Sequence, residues 1–170
     1  MFKVNKLDQF IKKSTPLYWA VKDGYNYIAN EFSMIKIKDL PEQINFRVLS
    51  IFKETPENNG TALKYCDFGV AEDNAVLKLL ESIETCNTIP AIDTELMWVT
   101  PEFKTGKTKS KGVRVFKVEN KTVYIASDTM ELLSNYNESA YGDRWIQFKK
   151  DNEWFLTMGT IMAEENKFIK

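Results

Sequence analysis

At 170 residues, with 44% apolar and 28% charged side chains and a net charge of −1, the chain has the size and balance of a globular domain that needs no disulfide or metal staple. It has no histidine, which removes the commonest general base, the commonest metal ligand and every Ser–His or Cys–His nucleophile pair; a non-catalytic protein with no cofactor and no metal is expected. Two cysteines without CxxC spacing, no run of about 18 apolar residues and no apolar leader after Met1 argue for the reducing cytoplasm and against a membrane protein.

In chain order, Asn5 can cap a helix over 6–13, because Leu7, Phe10 and Ile11 share one face and Lys12 and Lys13 stand where the helix dipole favours cations. Ser14-Thr15-Pro16 ends it, since the residue before a proline avoids helical geometry. Asp23-Gly24 predicts a tight hairpin of strands 17–22 and 25–29, both turn positions requiring positive φ. Residues 32–38 read as a third strand with its lysines on the wet side, 46–52 as a fourth, and 56–60 as a loop.

Val76, Leu77, Leu79, Leu80 and Ile83 recur at helical spacing, predicting a helix over 72–84 with Asp73 or Asn74 at its start. Residues 91–99 read as a strand and 104–111 as a polar loop without an acid. Strands 113–118 and 122–126 form a hairpin around Glu119-Asn120-Lys121. Ser127 can cap a third helix, 128–136, that buries Met130, Leu132 and Leu133. Strands 145–149 and 154–158 pair across Asp151-Asn152, and 160–162 continues or re-enters the sheet. The expected fold is α+β, rich in antiparallel sheet, with about three short helices.

Charge is unevenly spread. Residues 1–64 carry ten Lys/Arg against seven Asp/Glu, residues 65–103 one against eight, and residues 104–170 twelve against nine. A DNA mimic would be acidic throughout and a simple nucleic-acid binder basic overall. Lys104, Lys107, Lys109, Lys111 and Arg114 form a cluster that can neutralise phosphates, or serve only as a solvated loop. Thr105-Gly106-Lys107-Thr108 is not a phosphate-binding loop, because Pro101 stands where that motif needs its first glycine. No spacing among Asp67, Glu72, Asp73, Glu81, Glu84, Asp93, Glu95 and Glu102 selects an acid–base pair. Trp19, Trp98, Trp145 and Trp154 lie in strands and are expected in the core, with Cys66 and Cys86 as inert buried thiols.

Two segments, 24–37 and 122–162, resemble DNA sliding clamps, especially compact clamp-like proteins of phages and mobile elements. The first is a strand closing in a short polar turn before the next strand, Gly24-Tyr25-Asn26-Tyr27-Ile28-Ala29-Asn30-Glu31-Phe32-Ser33-Met34. The second is a strand, a short helix with Leu132-Leu133, and two closing strands. The resemblance implies one domain over 1–170, or two clamp-like subdomains near 1–64 and 65–170, and a homo-oligomer if a ring is to close. It also implies an accessory role in DNA replication or repair, with DNA and a replication protein as partners. Phosphate contacts would then come from Lys6, Lys12, Lys13, Lys104, Lys107, Lys109, Lys111 and Arg114.

The helix bearing Glu72, Asp73, Glu81 and Glu84 would be repelled by a duplex within a Debye length of about 8 Å. Those four residues favour the alternative, a phage-encoded modulator or inhibitor that binds a host or defence protein through its acidic region 65–103.

Overall fold

A computed structural model describes residues 1–99 and 112–162. The chain folds as α1 (Val4–Lys13), β1 (Leu17–Lys22), β2 (Tyr25–Ala29), β3 (Ser33–Ile37), α2 (Glu42–Phe52), β4 (Leu63–Cys66), β5 (Gly69–Glu72), α3 (Ala75–Thr85), β6 (Ile89–Pro90) and β7 (Ile92–Val99). There follow β8 (Gly112–Val118), β9 (Lys121–Ala126), α4 (Ser127–Met130), β10 (Glu138–Tyr141), β11 (Trp145–Lys150), β12 (Glu153–Met158) and β13 (Thr160–Met162). The expected α+β, antiparallel class is what is found.

Nine strands form one sheet in the order β5-β4-β1-β2-β3-β12-β11-β10-β6, and four form a second, β13-β9-β8-β7. The large sheet is two meanders, β1–β3 and β10–β12, joined where β3 pairs with β12 through Met34↔Leu156 and Ile35↔Phe155. Alternation along these strands sends Leu17, Trp19, Ile28, Ile35, Phe148 and Phe155 to one face. There they share a core with α1, α2 and the small sheet, and Phe116 of β8 meets Phe148 edge-on at 5.4 Å. The opposite face presents Ala20, Tyr27, Met34, Trp154 and Leu156 to Val76, Leu80 and Ile83 of α3. Fully burying each Phe or Leu in these layers is worth about 1.5–3 kcal/mol.

The Asp23-Gly24 turn forms as expected, with φ of 52° and 73°. The hairpin about Glu119-Asn120 forms likewise, and residues 160–162 re-enter as an edge of the small sheet, paired with β9. The expected strand over 46–52 is instead helix α2. Its buried residues are Ile44, Val48 and Phe52, four apart, and Lys53 closes it with φ of 69°. The segment 46–52, apolar at five of seven positions, fits either period; Ile44 and Pro41, upstream of it, settle it as a helix.

The expected helix over 128–136 stops at Met130. Leu132 and Leu133 are buried all the same, held in turns whose backbone reaches Lys3 and a bridge to Phe2. Lys3, not Asn5, stands at the start of α1, while α3 begins at Ala75, leaving Glu72 in a strand. Three tryptophans are core residues, whereas Trp98 is only half-buried, near Tyr124 at 6.0 Å. Cys66 and Cys86 are free and partly exposed, because they fall at a hairpin turn and a helix end.

Candidate functional site

Three of the cations expected to meet phosphate are matched within the fold. Lys6 donates from α1 to Glu131. Lys12 pairs one turn back with Asp8, which also accepts Arg47 Nε at 2.9 Å. Asp8 is buried, and its contacts with Lys12 and then Arg47 hold the carboxyl below its ordinary range against the opposing effect of burial. Arg114 on β8 makes a two-pronged contact with Asp93 of β7, Nε to Oδ1 at 2.8 Å and Nη2 to Oδ2 at 3.0 Å. Lys13 is exposed at the end of α1 and lines a groove of about 380 Å³ with Phe10, Asn30, Phe32 and Asp128. Lys104, Lys107, Lys109 and Lys111 lie outside the described residues.

Asp93 is the best-connected carboxylate of this set. Besides Arg114 it accepts the Tyr136 hydroxyl at 2.6 Å and the Glu95 N–H at 2.8 Å. Burial pushes its pKa up, but these donors outweigh burial and keep it lowered; burial and the Asp93 charge together push Tyr136 upward. A register shift between Asp93 and Met97, with Glu95 at φ 61°, turns the strand so that its side chain meets both partners. The sequence lists Asp93 only as one acid of eight. Its partners come from another strand and from a turn 43 residues away, so spacing cannot reveal them.

The acidic residues divide into matched and unmatched sets. Asp73, between β5 and α3, accepts the Ala75 N–H at 2.9 Å and binds Lys64 at 3.1 Å, which together lower its pKa. Glu84 reaches Lys22 at 3.3 Å. Asp67, Glu72 and Glu81 are exposed and make no ion pair with any described residue. Asp67 lies in the turn before β5 and Glu72 ends that strand, whose residues are all exposed, and Phe68 at the β4–β5 turn is 100% exposed. Val70 at 38% and Leu79 of α3 at 47% are further exposed apolar residues in this stretch. Sequence reasoning missed Phe68 and Val70. The available signal was Asp67-Phe68-Gly69, a turn with an aromatic at its tip, where Gly69 takes a φ of 108°.

Among the described residues no group of three or more His, Cys, Asp or Glu side chains is placed to hold a metal, and no helix is long and apolar enough to cross a membrane. No family model, curated protein or solved structure matches this chain, so the likeness to sliding clamps rests on the two sequence segments alone.

Proposed function

We propose that this is a non-catalytic protein ligand that binds a basic partner protein through its acidic region 65–103, and modulates that partner by occupying its surface. The observation that carries this reading is the unmatched acid at the β4–β5 hairpin. Phe68 stands fully in water beside Asp67 at the turn, with Glu72 at the far end of β5; neither acid has an ion-pair partner among the described residues, whereas Lys6, Lys12 and Arg114 are matched. An exposed aromatic supplies buried area on binding, and surrounding charge of one sign selects the partner and speeds encounter. The test is retention of a stoichiometric partner from lysate of the source organism, released by raising salt. A Glu72→Lys/Glu81→Lys variant should lose that partner, and stoichiometric recovery of nothing by the unaltered protein counts against the reading.

A second reading is the clamp-type accessory role in replication or repair of a phage or mobile element. Lys13, exposed at the end of α1, and Lys3, exposed at its start, support it. It requires a shift of duplex or single-stranded DNA in about 50 mM salt that weakens steeply as salt rises. No shift under those conditions removes it.

A further inference from the structure

The two ends of the nine-stranded sheet differ. At one end β6 is two residues long and contains Pro90, which lacks an N–H, so that edge is closed to further pairing. At the other end β5 carries no proline, lysine or bulge of the kind that blocks edges, and every residue in it is exposed.

The register shows which of its backbone groups are free. Leu63 pairs with Glu72, Lys64 with Ala71, Tyr65 with Val70 and Cys66 with Gly69, and the Asp73 N–H donates to Ala62 O at 2.9 Å. In an antiparallel ladder hydrogen-bonded and non-bonded pairs alternate. Asp73, Ala71 and Gly69 therefore turn their backbone groups toward β4, while Val70 and Glu72 turn theirs outward. An open rung of two N–H and two C=O groups results, with Phe68 at one end and the Glu72 carboxylate at the other.

We propose that β5 is the docking edge of the acidic region, and that its occupant is an extended, cationic segment of the partner protein, added as a further strand. The proposal rests on the acidic-surface reading above and specifies how that surface binds. Backbone pairing supplies affinity without regard to sequence, and side chains on alternate residues supply specificity. A Lys or Arg opposite Glu72 and an apolar residue opposite Val70 match what the edge offers. A second copy of this chain fits less well. Pairing β5 with itself about Ala71 would set Glu72 opposite Val70 of the other copy, leaving neither Glu72 opposite a cation nor Val70 opposite an apolar side chain.

The test uses the full chain and a fluorescein-labelled nonapeptide with threonine at the odd positions and lysine and valine in turn at the even ones, which sets lysine and valine two residues apart on one face as Glu72 and Val70 are, followed by fluorescence anisotropy. The same peptide N-methylated at its central amides keeps the charge but cannot pair. Val70→Pro removes an outward N–H that the β4 ladder does not use, so the fold should stand, as circular dichroism would check. Expected are binding of the unmethylated peptide, at least about tenfold weaker binding by Val70→Pro, and a similar loss for the methylated peptide. If Val70→Pro fails to fold, the methylated peptide on the unaltered protein still decides. Equal binding of both peptides overturns strand addition. If Glu72→Lys/Glu81→Lys still abolishes that binding, the acidic-surface reading survives without it. No binding of either peptide overturns the proposal, as does dimerisation that Val70→Pro abolishes, which would assign the edge to a second copy.

Discussion

Asp93 gathers Arg114, Tyr136 and the Glu95 N–H around one half-buried carboxylate, tying two strands of the small sheet to the turn that precedes β10. Removing the charge by Asp93→Asn should cost about 1–3 kcal/mol, since hydrogen bonds to charged groups are the strong ones. Tyr136→Phe deletes a single donor and should cost about 1 kcal/mol, both read from urea midpoints at neutral pH. The pH dependence has a definite sign. Asp8, Asp73 and Asp93 all have folded pKa values below the ordinary 3.8. Their contribution is therefore complete above that value and is lost as pH falls through the lower folded values. A urea series from about pH 6 to pH 2 should show a plateau and then an acid decline, and Asp93→Asn should make that decline shallower.

Element α2 shows how upstream context, Pro41 and Ile44, changes a reading. As a strand, 46–52 would bury Phe46 together with Val48 and Phe52; as a helix it buries Ile44, Val48 and Phe52 and leaves Phe46 70% exposed. Phe46→Glu should therefore shift stability by no more than about 0.5 kcal/mol, whereas Phe52→Ala, emptying space beside Trp19 at 5.7 Å, should cost about 3–5 kcal/mol. Thermal or urea unfolding of the two variants separates these outcomes. The β4–β5 hairpin has the opposite character, exposed along its outer strand and at its tip. Phe68→Ser should leave the unfolding midpoint within experimental scatter while reducing retention of the basic partner, a split that a merely structural Phe68 would not produce.

At the scale of the whole molecule, residues before and after residue 64 pair and pack together. Strand β3, near the N-terminus, pairs with β12, and the main core draws Leu7 and Trp19 together with Phe116, Val123 and Phe148. Intrinsic tryptophan fluorescence and far-ultraviolet circular dichroism should accordingly report one coincident urea transition; separate transitions would show the two halves unfolding independently.

Local chemistry determined much by itself. The Asp23-Gly24 turn, the apolar spacing of α1 and α3, the pairing of β11 with β12 and the acidic character of 65–103 can all be read from neighbouring residues, because turns and amphipathic periods are properties of short segments. Only the tertiary structure decided that Leu132 and Leu133 are buried without a helix, and which charges are paired within the fold. It also decided that β5 closes no ladder on its outer side. Each of these depends on contacts between residues far apart in the chain, and a pattern of period two or 3.6 carries no information about what lies across the core or beyond the last strand.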